Sequence, residues 1–327
     1  MILLPDWLAD EYGRVERLIE RDELPHALLI HGPAGTGRRW LALALADRLL
    51  GLSGEIVAAA LTPGELIDEE IAPTHPDFVL VQPPPDKRAL PIDLVRRLIE
   101  TLHLTSHQSG YKVALVHPAH AMSIGAANSL LKTLEEPPGR TLIVLVTDSL
   151  SRLTPTIVSR CHRVRVSLPA HAAGLRWLGA QDSNVDWQGL LDLAGGAPLK
   201  ALEYHGANAV AHIAEFEQDV AALERRQASP TGVAGRWVKQ DPGLCMAWMY
   251  RRIAAEIRSS HGDTAGRTGE NRRTSHLKNG AENPNIERAF AELREVGELQ
   301  RLRGSGLNAE LQLAALLTRW YGRRAAG

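Results

Sequence analysis

The chain has 327 residues, 44% of them hydrophobic and 23% charged, a globular mix long enough for two or three domains and unlike a disordered or fibrous one. Its 37 Lys and Arg against 38 Asp and Glu leave a net charge of −1, which excludes a whole-protein basic footprint for nucleic acid while leaving local patches open. Two cysteines, Cys161 and Cys245, cannot build a disulfide framework or a zinc module, no apolar run approaches the ~18 residues that span a bilayer, and the start at Met1 has no basic leader region, so a cytoplasmic protein without membrane contact is expected.

In chain order, residues 27–31 form a buried-strand run that the glycines of residues 32–37 break, and an Ala- and Leu-rich helical stretch follows over 40–50. Residues 78–81, 113–116 and 142–146 read as further strands, with helices over 92–102 and 123–136 between them. Continuous apolar strands separated by helices predict an α/β domain with a parallel sheet covered on both faces. Ser123 is the expected N-cap of its helix, and Pro137-Pro138 is the expected stop. Past Val166 the strand signal ends. Residues 169–206 read as three short helices, and the remainder as longer ones over 209–226, 241–259, 286–303 and 308–321, with Asp241-Pro242 and Asn308 as start signals. Residues 260–284, almost free of apolar side chains, read as a mobile loop. The expected organisation is an α/β domain over 1–167, a small helical domain over 168–207 and an all-α domain over 208–327.

Gly32-Pro33-Ala34-Gly35-Thr36-Gly37-Arg38-Arg39 follows a strand and opens a helix, the setting of a phosphate-binding loop. A working loop needs a Lys for the β/γ-phosphates and a Ser or Thr hydroxyl for Mg²⁺; Arg38 and Arg39 occupy those two positions. The loop is therefore either a tight strand-to-helix turn that needs glycine, or an anion-binding nest that has outlived its metal. The strand end where an ATPase places its acidic residues reads His117-Pro118 instead. With both parts of the machine missing, the residues predict no intrinsic ATP hydrolysis.

The run Asn128-Ser129-Leu130-Leu131-Lys132-Thr133-Leu134-Glu135-Glu136-Pro137-Pro138, then Ser151-Arg152-Leu153, Thr154-Pro155-Thr156-Ile157 and Ser159-Arg160-Cys161, resembles bacterial clamp-loader subunits of the AAA+ superfamily. His75-Pro76-Asp77 and the altered loop fit as well, and the resemblance is dense over about residues 24–166. It implies an AAA+ P-loop domain, a helical lid and a C-terminal collar that oligomerises. It further implies the branch of the family that keeps Ser-Arg-Cys and has lost its own ATP site. In that branch Arg160, flanked by Ser159 and Cys161, reaches in trans into the ATP site of a neighbouring subunit. Gly32, Gly35, Thr36, Gly37, Arg38 and Arg39 are then a degenerate, non-functional phosphate loop, and no cofactor is expected. Many relatives carry four zinc-binding cysteines between the phosphate-loop helix and the His-Pro-Asp triplet; this chain has none between Leu49 and Pro76, so no metal is expected. The implied partners are the tau or gamma ATPase subunits and the delta subunit of DNA polymerase III, with DNA and the sliding clamp met through the hetero-oligomer. The DNA-directed DNA polymerase (nucleotidyltransferase) activity of that replication machine resides in another subunit.

Read from the residues alone, Arg160 is an ordinary solvent-facing arginine, and Thr154 with Pro155 in the first turn opens a short helix that delivers it. Cys161 has no His/Asp arrangement to activate it and reads as a small buried side chain. Lys132 and Glu135, three apart, are expected to pair across their helix. Thr147 stands where family ATPases sense the γ-phosphate, here as a relic. His75, His103, His107, His117 and His120 lack ligand spacing, and Arg323-Arg324 reads as a solvated tail. Two other functions compete: a self-sufficient P-loop ATPase such as a helicase loader, and a stand-alone DNA-binding module. The balanced charge and the lack of an aromatic-plus-basic stripe count against the second.

Overall fold

A computed structural model describes residues 4–54, 75–84, 87, 89–104, 110–265, 284–301 and 309–325. The chain divides into two compact units, residues 1–191 with 195–201, and residues 192–194 with 202–327.

The first unit is built on five parallel strands: β1 (Ala27–His31), β2 (Phe78–Val81), β3 (Lys112–Val116), β4 (Thr141–Thr147) and β5 (His162–Arg165), in the order β2-β3-β4-β1-β5. Every residue of β4 is buried, as a central strand covered on both faces requires. It pairs with β1 through Ala27↔Ile143 to His31↔Thr147 and with β3 through Lys112↔Thr141 to Val116↔Leu145. Alternation then sorts the side chains onto two faces. Leu28, Ile30, Val113, Leu115, Val144 and Val146 pack under α2 (Arg38–Leu50) with Val15 of α1 (Ala9–Glu20). Leu29, Ala114, Val116, Ile143 and Leu145 pack under α3 (Ile92–His103) and α4 (Ile124–Glu135). Ser123 caps α4 as expected, its Oγ accepting from the Ala126 N–H at 3.2 Å, and the helix stops two residues short of Pro137.

Among the described strands and α-helices of this unit, two are absent from the sequence reading. In β5 only Val164 of His162-Arg163-Val164-Arg165 is buried, so the strand carries no apolar run. Its charges suit an edge, where they discourage pairing with other chains. The other is α1, which buries a single residue, Val15. Beyond β5, α5 (Pro155–Val158) having preceded it, come α6 (His171–Gln181), α7 (Trp187–Leu193) and α8 (Pro198–Gly206), the three short helices that the sequence suggests.

The second unit holds α9 (Ala209–Glu224), α10 (Pro230–Gln240), α11 (Pro242–Ala265), α12 (Pro284–Arg301) and α13 (Ala309–Ala325). Phe216, Trp237, Trp248 and Trp320 form a chain of ring contacts through it at centroid distances of 4.7, 5.5 and 6.2 Å. The Trp237 Nε1–H donates to Asp219 at 2.8 Å, which lets a polar ring tip sit in an apolar core. The sequence reading missed α10, because Gly232 and Gly235 dilute its helical pattern. Its start signal was present: Ser229 Oγ accepts from the Gly232 N–H at 3.1 Å, with Pro230 in the first turn. Asp241 caps α11 through the Gly243 and Leu244 N–H groups at 2.7 and 3.0 Å. That helix runs to Ala265, past the expected end at Ser259, since no proline stands there to stop it. The rest of the expected loop, 266–283, lies outside the described residues, as does Asn308. Among the described residues no helix is long and apolar enough to cross a membrane.

Candidate functional site

The glycine loop between β1 and α2 is held closely by the surrounding chain. Gly32 has φ +148, and a Cβ there would lie 1.9 Å from the Val166 carbonyl oxygen. Gly35 has φ +75, and its Cβ would fall 2.6 Å from Cβ of Lys200, while its carbonyl accepts from the Leu199 N–H at 3.0 Å. Both positions admit only glycine. Thr36 is fully buried; its Oγ1 donates to the Pro33 carbonyl at 2.8 Å, and its own carbonyl accepts from Trp7 Nε1–H at 2.9 Å. Trp7 and Trp40 meet the Trp177 ring of α6 edge-on at 5.5 and 6.0 Å, tying the short helices to the loop.

Arg38 and Arg39 open α2. Arg38 is 7% exposed, and burial lowers the proton affinity of its guanidinium while Asp148 opposes that shift. Burial acts on Arg39 in the same direction. The nearby C-terminal strand ends carry His31, His117 and Asp148. Burial first, then Arg39, Arg38 and His120, push the His117 imidazole down to about 3, so it is neutral at physiological pH. Burial, then Arg163, Arg165 and Arg38, hold His31 below its ordinary value. The His120 Nδ1 lies 3.1 Å from Asp148 and 3.0 Å from Thr147 Oγ1; burial outweighs the carboxylate and keeps His120 low as well. Thr147 is buried, and its hydroxyl accepts from the Ser149 N–H at 3.1 Å, a turn-forming bond.

These residues do not fit a Mg²⁺–nucleotide. Arg39 stands where the metal-binding hydroxyl belongs, and the strand end offers the neutral His117 and Pro118 in place of acids. Asp148, whose carboxylate acts on Arg38, is engaged by His120. A hard divalent cation needs oxygen ligands, and two guanidinium groups repel it. Among the described residues no group of three or more His, Cys, Asp or Glu side chains could hold a metal ion.

Arg160 lies at the other end of the same unit's motif block. Pro155 occupies the first turn of α5, but the Thr154 side chain makes no capping bond to the helix; its Oγ1 accepts from the Thr156 hydroxyl at 3.0 Å instead. The Arg160 side chain is 35% exposed and its fork is fully oriented. Its Nε and Nη2 both approach Glu135 Oε1, at 2.7 and 2.5 Å, and Nη1 donates to the Thr156 carbonyl at 3.0 Å. Ser159 Oγ donates to that same carbonyl at 3.0 Å. The expected pairing of Glu135 with Lys132 is thus replaced by pairing with Arg160. Glu135 is the last residue of α4, beside α5, and a guanidinium offers it two donors where an ammonium offers a point charge. Cys161 is half-buried, and burial pushes its thiol up to about 11, which leaves no thiolate for nucleophilic chemistry. Neither Glu135 as the partner of Arg160 nor Asp148 beside His120 was legible beforehand. The first pair is separated by 25 residues with no motif linking the two roles.

A protein family described as "DNA polymerase III, delta subunit" matches residues 9–169. The DNA polymerase III subunit delta' of Pseudomonas aeruginosa is 36% identical over 238 residues, 70% of each chain. The same-named protein of Escherichia coli is 32% identical over 203 residues, 60% of this chain and 59% of that one. In Bacillus subtilis the subunit is 38% identical over 143 residues, 44% and 42% of the two chains. A solved structure of a DNA polymerase III gamma subunit-related protein from Thermotoga maritima superposes with a TM-score of 0.53 at 20% identity, covering 96% of this chain and all of that one. That likeness is one of fold: a parallel five-stranded sheet followed by helices. The chain belongs to the family of bacterial DNA polymerase III delta' subunits.

Proposed function

We propose that this chain is an ATPase-inactive subunit of a clamp loader, which supplies Arg160 to the ATP site of a neighbouring ATPase subunit and so helps place a sliding clamp on primed DNA. The observation that carries this reading is the contrast between a guanidinium oriented at the surface and a phosphate loop whose metal-binding positions are arginines. Glu135 and the Thr156 carbonyl hold three nitrogens of the Arg160 side chain, fixing the plane of the fork while leaving about a third of the side chain exposed. A fork fixed in this way can meet phosphate oxygens with two parallel bonds, and a finger of that kind raises phosphoryl transfer by ~10³–10⁵. Partners of tau or gamma and delta type, and contact with DNA through the assembly, belong to the same proposal. The helical second unit serves as the collar, and exposed Val210, Tyr250, Phe290 and Leu311 are candidates for its contacts.

The test is reconstitution with ATPase subunits, comparing Arg160→Ala and Arg160→Lys with the unmodified chain. Assembly is expected to persist, total DNA-stimulated ATPase to fall partially, and clamp loading to fall further. Lys is expected to rescue poorly. Full activity in an assembled Arg160→Ala complex would refute the finger. Turnover of Mg-ATP by the isolated chain, at the rate of a working AAA+ subunit, would refute the inactive loop.

A further inference from the structure

We propose that the free edge of β5, with Arg163 and Arg165 beside it, takes an extended acidic segment of a partner protein as an added strand of the sheet. The proposal does not rest on the role of Arg160, whose side chain is bonded to Glu135. β5 ends the order β2-β3-β4-β1-β5 and pairs on one side alone, with β1, from Leu28↔His162 to His31↔Arg165. The Val166 N–H bonds to the His31 carbonyl at 2.8 Å, which sets the alternation along the strand. The backbone groups of Val164 and Val166 therefore turn toward β1, and those of Arg163 and Arg165 turn away from it. Both arginines are exposed, and among the described residues neither their guanidinium groups nor their outward backbone groups make a hydrogen bond or an ion pair. Both act electrostatically on His31, the β1 residue that pairs with Arg165.

An unpaired sheet edge is a template for strand addition, in which backbone bonds supply affinity and alternate side chains supply selection. Here the selection is by charge. Between Asp148 and Asp182 the chain holds five arginines and two histidines and no acidic residue. Arg163 and Arg165 are two residues apart, so they share one face of the sheet, about 6.6 Å apart along the strand. That is the spacing of alternate residues in an added strand, whose acidic side chains would each meet a guanidinium. The like charges that keep two copies of β5 from pairing attract a strand of the opposite sign. The edge also discriminates a peptide from a nucleic acid. It turns carbonyl oxygens outward as well as N–H groups, and a peptide matches both. Phosphodiester oxygens only accept, and no aromatic ring stands among residues 162–165 for a base to stack on.

Titration of the full chain with a blocked peptide of about eight residues that alternates glutamate and threonine tests the edge, read by calorimetry and by amide hydrogen exchange. Saturable binding of millimolar affinity or tighter is expected. In the free chain the Arg163 and Arg165 N–H groups are expected to exchange faster than those of Val164 and Val166, and saturating peptide to slow the first pair at least ~10-fold. The same peptide with lysine in place of glutamate is expected to bind at least ~10-fold more weakly, and the glutamate peptide with every amide N-methylated not to bind. Replacing both arginines, Arg163→Gln with Arg165→Gln, is expected to weaken binding about 10-fold and to leave the melting temperature unchanged, because both side chains are exposed and unpaired. Absence of saturable binding by the glutamate peptide, or slow exchange of the Arg163 and Arg165 amides in the free chain, would overturn the proposal. Equal binding of the N-methylated peptide would reduce the edge to a charged surface, and undiminished binding by the double variant would remove the arginines from it; either result overturns it too. So would a single-stranded oligonucleotide of the same charge that binds more tightly than the peptide through the same two arginines, since the edge would then be a nucleic-acid contact.

Discussion

The glycine loop and the arginine-bearing turn sit in one unit of the chain and treat their cations in opposite ways. In the loop, Arg38 and Arg39 are turned inward, with three side-chain nitrogens unpartnered. In the turn, Arg160 is at the surface with three nitrogens bonded. A buried, unpaired charge is a cost that the fold carries, whereas an exposed, oriented one costs little and remains available to another molecule. The comparison teaches how differently one unit can place its arginines: two are buried at the glycine loop and one is held outward at the turn. Under the proposed function it also locates what can be broken where: changes at the loop are expected to act on folding, and changes at the turn on a neighbouring subunit.

The largest expected effect is at the turn and in trans. In an assembled complex, Arg160→Ala is expected to slow hydrolysis at the one ATP site it faces by ~10³ or more, read by single-turnover kinetics with the other sites inactivated. The same substitution in the isolated chain is expected to change unfolding free energy by less than about 1 kcal/mol, because exposed ion pairs contribute little. A large change in stability, or none in the rate, would erase the distinction between the two regions.

At the loop the order reverses. Gly32→Ala places a Cβ 1.9 Å from the Val166 carbonyl oxygen at a φ of +148. Backbone must move at the junction of β1 and the chain leaving β5, and a loss of about 3 kcal/mol or more is expected by chemical denaturation. Gly51 is the control. It also has a positive φ, +68, but a Cβ there meets nothing within 4 Å, so Gly51→Ala bears the conformational cost alone, about 1 kcal/mol. Equal losses at the two positions would mean that the close approach to Val166 is not what constrains Gly32.

The His117 ring gives a third, pH-dependent reading of the loop, through its burial first and the cations around it second. Its folded value of about 3 lies below the ordinary 6.5, so the unfolded chain takes up the proton first as the solution is acidified. Stability is therefore fully present above pH 6.5 and is lost as pH falls toward 3, with a slope of up to about 1.4 kcal/mol per pH unit from this group. His31 and His120, both held low, add in the same direction. Measured by urea denaturation, His117→Gln is expected to flatten the profile between those limits. An unchanged profile would show that burial and the neighbouring cations do not hold the ring below its ordinary value.

How much of this could be read beforehand follows from what each element depends on. Strands β1, β3 and β4 were legible because a strand covered on both faces must be apolar throughout. The edge strand β5 was not, since three of its four residues face outward and are charged or polar. The arginines at the loop's two phosphate- and metal-binding positions were legible from residue types at fixed spacing. Their unpartnered nitrogens were not, because burial of Arg38 is decided by α2, the strand ends and the short helices together. Likewise Arg160 stood out by motif, while its holder Glu135 depends on where α4 stops relative to α5.

That dependence sets the smallest and most discriminating prediction. Glu135 touches only one side of the Arg160 fork, so Glu135→Gln keeps an acceptor at the Oε1 position and removes the charge. Folding is expected to change by less than about 0.5 kcal/mol, since the pair is half exposed on the Glu135 side. In the assembled complex the fork loses its strongest anchor but keeps the Thr156 carbonyl, so the ATPase deficit is expected to be smaller than for Arg160→Ala. Glu135→Ala, which leaves no acceptor, is expected to fall between the two. The ordering Gln, then Ala, then Arg160→Ala separates orientation from charge: if Glu135 merely balanced the arginine, both Glu135 variants would behave alike. If Arg160→Ala and Glu135→Ala were combined, the double variant is expected to be no worse than Arg160→Ala alone, because Glu135 acts on the partner's ATP only through the arginine it holds. An additional loss in the double variant would give Glu135 a contact of its own across the interface and would remove the case for a positioning role.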